Sequence, residues 1–168
     1  MPEYTRTASY QLSRNLVIVD TNVLVAAFLP ADQNHDVAQL LFDRDFAEQI
    51  LVPTSVIVET WGMLTRRDRD AQVKRNFLVW LTNPGSGATP ILDDGEFNVT
   101  ADALRKEDID CVHVLLLRLA THLTTSISAK PPVRIATFDT RDFLRFVGRT
   151  EFSFMLFDMN AYEEMEFE

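Results

Sequence analysis

Four carboxylates in this chain flank or interrupt apolar segments: Asp20, Glu59, Asp110 and Asp139. Asp20 closes the run Leu16–Val19, whose β-branched residues predict a buried parallel strand. The carboxyl end of such a strand is where open α/β sheets bind ligands. A short acid there also suits the N-cap of a following helix. Asp139 repeats the arrangement after Val133–Phe138, with Thr140 behind it as Thr21 stands behind Asp20. Glu59 lies among Val56, Ile57, Val58 and Trp61. An unpaired buried charge is costly, so Glu59 is either a cation ligand or an edge residue paired with a nearby Arg. Asp110 precedes the apolar stretch Val112–Ala120. It either answers the helix dipole or aims at the sheet edge.

Packed together at neutral pH, four carboxylates repel one another, and a hard divalent cation relieves that repulsion. An all-oxygen donor set favours magnesium or manganese over zinc. The reaction that fits is phosphodiester hydrolysis. The ion lowers the pKa of a water that attacks in line, and a second ion about 3.5–4 Å away stabilises the leaving oxygen. His113 lies one turn from Asp110 on the same helix face. It reads as an ordinary, partly exposed histidine in preference to a phosphate contact. His35 and His122 lack ligand-like spacing. The chain has no Walker loop and no GxGxxG after a strand, which argues against NTPases and dinucleotide enzymes. No Ser-His-Asp arrangement is evident.

These residues need a scaffold, and 168 residues at 46% hydrophobic content suit one domain with a sizeable core. Twelve Phe predict an aromatic core, and the single Cys111 excludes an intrachain disulfide and a zinc cluster. Its apolar neighbours predict a buried, inert thiol. No apolar stretch reaches membrane-spanning length, and the N-terminus lacks a signal-peptide core, so no membrane association and a cytoplasmic location are expected. A net charge of −9 does not suit a protein that coats nucleic acid by bulk charge. Arg66, Arg67, Arg69, Lys74 and Arg75 form a local basic stretch. It reads as a guide for RNA backbone or as a solvated helix face.

Residues 1–14 read as a polar lead-in, 15–158 as the domain and 159–168 as an acidic tail. Strands are predicted over 16–20, 50–52, 90–92, 133–138 and 151–157. Helices are predicted after Asn22, over 36–49, from Val56, over 70–81 and 99–106, and after Asp110. Alternation of this kind predicts a three-layer α/β/α fold with a mainly parallel central sheet.

Four motifs recur in order: IVDTNVL at Ile18–Leu24, VPTSVIVETWGML at Val52–Leu64, DIDCVHVLLLRLA at Asp108–Ala120 and ATFDTRDF at Ala136–Phe143. With these the chain resembles PIN-domain proteins, most closely the bacterial VapC-type toxin ribonucleases. The resemblance implies that Asp20, Glu59, Asp110 and Asp139 gather around magnesium or manganese. Asn22 and Thr137 match small polar residues that support the site. Asp142 matches an additional acidic position, and Asp108 is a substitute for Asp110. The implied activity is that of an endoribonuclease toxin acting on RNA, as a homodimer, with an antitoxin protein whose segment fills the groove near the acids. A non-catalytic PIN-like module binding RNA or protein competes with this reading, but all four acids are present. A metal-dependent aspartyl phosphatase needs an Asp-x-Asp signature, and Asn22 stands where its second acid belongs.

Overall fold

The computed structural model describes residues 16–42, 49–67, 70–91, 110–126 and 132–161. The chain begins with β1 (Leu16–Val19), α1 (Thr21–Phe28) and α2 (His35–Leu40). It continues through β2 (Gln49–Pro53), α3 (Thr54–Arg67), α4 (Ala71–Thr82) and β3 (Ala88–Ile91). The last elements are α5 (Cys111–Ser126), β4 (Arg134–Thr137), α6 (Arg141–Leu144) and β5 (Met155–Asp158).

The five strands form one sheet in the order β3-β2-β1-β4-β5, with every neighbouring pair parallel. Parallel neighbours require crossovers long enough to hold a helix, which is why helices separate the strands. All four residues of β1 are buried. Successive side chains of a strand point to opposite faces, so both faces of the sheet are covered and the fold has three layers. The chain steps outward from β1 to β2 and β3, then returns to place β4 on the other side of β1. That reversal makes the β1/β4 crevice a topological switch point, the usual ligand position in such sheets.

Local chemistry sets the boundaries. β1 stops at Val19 because Asp20 is the N-cap of α1, its side chain accepting from the Thr21 amide. Asp70 caps α4 in the same way through the Gln72 amide. α3 buries Val56, Thr60 and Leu64, while Val58 is 67% exposed. Apolar content alone would bury Val58, but the i, i+4, i+8 face that packs inward contains a threonine. The aromatic expectation is met where Phe28, Phe42, Phe77 and Trp80 meet, with Phe42 and Trp80 rings 5.0 Å apart, edge to face.

Two expectations need correction. The helix expected over 36–49 ends by Leu40, with residues 43–48 outside the description. Cys111 is exposed, not buried, because it sits in the first turn of α5 on the solvent side. Met159 is fully buried and Asn160 donates to the Phe138 carbonyl at 2.8 Å, so the packed chain runs past Asp158. The lead-in at 1–14, the helix expected over 99–106 and residues 162–168 of the tail lie outside the described residues. Among the described residues no helix is long and apolar enough to cross a membrane.

Candidate functional site

The carboxyl ends of β1 and β4 are adjacent, with Val19 in register with Ala136. This places Asp20 and Asp139 at neighbouring positions on one edge of the sheet. Asp20 is only 1% exposed. Its Oδ1 accepts from the Thr21 amide at 2.7 Å. Its Oδ2 accepts from the Thr137 hydroxyl at 2.7 Å and from Asn22 Nδ2 at 2.9 Å. Thr137 Oγ1 in turn accepts from Asn22 Nδ2 at 3.0 Å and from the Asp139 amide at 3.0 Å. One hydroxyl has a single donor and two acceptor lone pairs, so Thr137 is saturated. Asn22 completes the frame by accepting from the Phe138 amide at 3.1 Å. Asn22 and Thr137 thus lock the first strand-end acid to the backbone that carries the second.

Glu59 enters from α3. The Thr21 hydroxyl donates to its Oε2 at 2.6 Å. The inward face of α3 runs through Val56 and Thr60, and Glu59 stands one residue to the side, at the rim of the core. Among the described residues, the neighbour that meets it is a hydroxyl of α1.

Asp110 stands immediately before α5 and accepts from the Val112 amide at 2.8 Å, which caps the helix. It is exposed. Asp108 lies outside the described residues.

His113 is the residue that sequence reasoning undervalued. Its side chain is 14% exposed and lies between two carboxylates. Nδ1 is 3.1 Å from Asp142 Oδ2, and Nε2 is 3.6 Å from Asp20 Oδ2. The ring also packs on Phe143, with centroids 4.8 Å apart. Burial pushes the imidazole pKa down. The hydrogen bond and charge of Asp20, followed by the charges of Asp110 and Asp142, outweigh burial and raise it from 6.5 to about 9. Asp142 makes the shorter contact, but Asp20 is the more deeply buried charge and is less screened by water. The other oxygen of Asp142 accepts from Arg145 at 3.0 Å. Asp142 therefore orients His113 here. The signal available in sequence was the one-turn spacing from Asp110. The partner that fixes the ring lies 29 residues away.

The described residues thus link the carboxylates of Asp20 and Glu59 through Thr21, and tie Asp20 through Thr137 to the backbone amide of Asp139, whose own carboxylate lies 3.8 Å from Arg141. Asp110 joins this edge through its charge on His113. The donor set is all carboxylate oxygen, and its central member is buried beneath hydroxyl and amide donors. Those properties fit a hard divalent cation. Among the described residues, no three His, Cys, Asp or Glu side chains close into a metal-holding group.

The likenesses to known proteins agree with this architecture. Comparison with curated protein sequences finds no match. Among solved structures, VapC20 of Mycobacterium tuberculosis, described as a sarcin-ricin loop cleaving toxin, is similar at a TM-score of 0.60 and 14% identity. That match covers 77% of this chain and 94% of the other. The structure of VapBC2 from Rickettsia felis, bound to a DNA fragment from their promoter, is similar at a TM-score of 0.56 and 14% identity. It covers 85% of this chain and 98% of the other. At such identity the likeness is one of fold. A family model of the PIN domain matches residues 17–147. With most of its length matched, from β1 through the turns that follow α6, this chain belongs to the PIN-domain family.

Proposed function

We propose that this chain is a magnesium- or manganese-dependent endoribonuclease, the toxin of a toxin–antitoxin pair. The observation that carries the reading is the frame of Asn22 and Thr137, which locks Asp20 to the backbone of Asp139 at the switch point. Asp20, Glu59, Asp110 and Asp139 are the residues that would hold the cation. When bound, that ion supplies positive charge to the phosphate and lowers the pKa of the attacking water. The chain's own contribution is positional. Thr137 and Asn22 fix the carboxylate of Asp20, Thr21 tethers that of Glu59, and the buried floor beneath Asp20 keeps water from screening its charge. Asp142 and His113 stand beside this set as orienting groups.

The solved neighbours include a sarcin-ricin loop cleaving toxin and VapBC2 bound to promoter DNA, which supports RNA as substrate and a protein antitoxin as partner. A homodimer belongs to the same reading. So does action in the cytoplasm.

The test is cleavage of a mixed structured-RNA pool with magnesium or manganese, alongside chelator and Asp20→Asn controls. Selected internal cuts that vanish in both controls are expected. Cutting that resists chelator, or persists equally in Asp20→Asn, overturns the mechanism. Direct metal binding, measured calorimetrically on both proteins, separates loss of the site from choice of the wrong RNA.

A further inference from the structure

A second kind of surface begins where the chain leaves Asp139. Arg141, Arg145 and Arg149 follow at four-residue spacing. The Arg141 side chain is 90% exposed, with Nε 3.8 Å from Asp139 Oδ1. Arg145 bonds Asp142 and lies over the Phe146 ring, 5.8 Å from its centroid. Arg149 lies over the same ring at 4.9 Å. From α5, Arg118 lies over Phe152 at 5.6 Å, and Phe152 meets Phe146 edge to face at 5.2 Å. Three guanidinium groups from two segments are gathered on one pair of rings.

That gathering is out of keeping with a chain of net charge −9. Like charges held together raise one another's energy, which the Arg145–Asp142 and Arg141–Asp139 pairs and the ring faces offset. Arg118 carries a further cost, because its Nε is buried with no hydrogen-bond partner among the described residues. The row is also held in shape. The Phe146, Val147 and Arg149 amides bond to the carbonyls of Phe143, Leu144 and Phe146, and Gly148, at φ +81°, closes the turn.

Its direction follows from topology. β4 ends at the acidic edge and β5 runs parallel to it, so residues 141–154 carry the chain from that edge to the opposite one. The arginine row therefore leads away from Asp139 down the side of the molecule. Only Arg141–Leu144 is helical, and the tight turns that follow hold Arg145 and Arg149 against one ring.

We propose that Arg141, Arg145, Arg149 and Arg118 form a binding face for a phosphodiester backbone, which leads a single strand to the carboxylates. Arginine suits this because its planar fork matches phosphate oxygens and is weakly hydrated. That the strand is RNA rests on the function proposed above, whereas the anion-binding chemistry of the face does not.

The experiment uses the full chain as Asp20→Asn, and the wild type in chelator, so that binding is read without cleavage. A fluorescently labelled single-stranded RNA is titrated at several salt concentrations and followed by anisotropy. Arg141→Gln with Arg149→Gln should weaken binding tenfold or more at low salt. The slope of log affinity against log salt should flatten by roughly 1.4, at about 0.7 per lost contact on a single strand. Arg66→Gln with Arg75→Gln should change both far less. Each variant's thermal transition is compared with that of its parent. Unchanged affinity and slope in a folded double variant overturn the proposal. So does loss of affinity for an acidic peptide with RNA binding unaltered, which would assign the face, with its exposed Leu144 and Val147, to a protein partner. Wild-type cleavage is assayed separately. A face that binds RNA in a protein that neither cleaves nor binds metal leaves this proposal standing and removes the enzyme reading, and cleavage untouched by the double variant does the reverse.

Discussion

At the scale of single residues, His113 makes the site's electrostatics testable without substrate. Its pKa stands at about 9 against 6.5 in a free side chain. A raised folded-state pKa adds stability that is fully present below the unfolded value. That stability is lost as pH rises through the folded value. In chelator, the wild type should therefore lose on the order of 3 kcal/mol relative to His113→Gln between pH 6 and pH 10. Urea-unfolding midpoints at both pH values measure it. Parallel pH profiles for the two proteins would contradict it. Sequence made the acids legible one by one, because Asp20 and Asp139 each end an apolar strand and Glu59 interrupts an apolar helix. It did not make their neighbours legible. Glu59 meets Thr21 across 38 residues and His113 meets Asp142 across 29, and no local pattern encodes such contacts. Asp20 proved to be both an N-cap and the centre of the candidate site. The capping expectation is met by Oδ1, while Oδ2 is held by Thr137 and Asn22.

At the scale of elements, the joint between β1 and β4 depends on one hydroxyl. Thr137→Val keeps the shape of the side chain but leaves the Asp139 amide without its acceptor and removes one of the two donors to Asp20 Oδ2. We expect a loss of about 1–3 kcal/mol in chemical denaturation, as for buried groups left without a partner. Metal affinity should fall with it. Thr60 on α3 gives the opposite case. Its hydroxyl is fully buried and has no hydrogen-bond partner among the described residues. Thr60→Val removes that polar atom at nearly constant volume and should stabilise the protein by about 1 kcal/mol. A lower denaturation midpoint for Thr60→Val would show that the hydroxyl has work at this position. The strands were readable because each is a short apolar run bounded by turn residues. The rotation of α3 was not readable, since Val58 and Thr60 exchange the positions that hydropathy assigns them.

At the scale of the whole molecule, the sheet order decides where chemistry can occur. Alternation of strands and helices in sequence implies a parallel sheet, but not which strands are neighbours. Only the observed order makes β1 and β4 adjacent and brings the two strand-end acids to neighbouring positions on one edge. The same view of the molecule bears on assembly. The α3–α4 pair leaves Val58 67%, Val79 59%, Leu78 42% and Trp61 39% exposed. Lys74 covers the Trp61 ring at 5.7 Å, so one side of that patch is partly screened. Monomeric proteins rarely leave a large contiguous apolar surface in water. The homodimer proposed above is therefore expected to use this face. Val58→Asp and Val79→Asp place a charge on exposed positions, where the folded monomer tolerates it within about 0.5 kcal/mol. In a dimer interface the same charge is desolvated and unpaired, at a cost of several kcal/mol. Light scattering over a concentration series should find wild type as a dimer at micromolar protein and the variants as monomers, with circular dichroism unchanged. A wild type that is monomeric throughout removes the homodimer. A dimer that survives both substitutions moves the interface to another face, with the exposed Leu144, Val147 and Met155 beyond β4 as the next to be substituted.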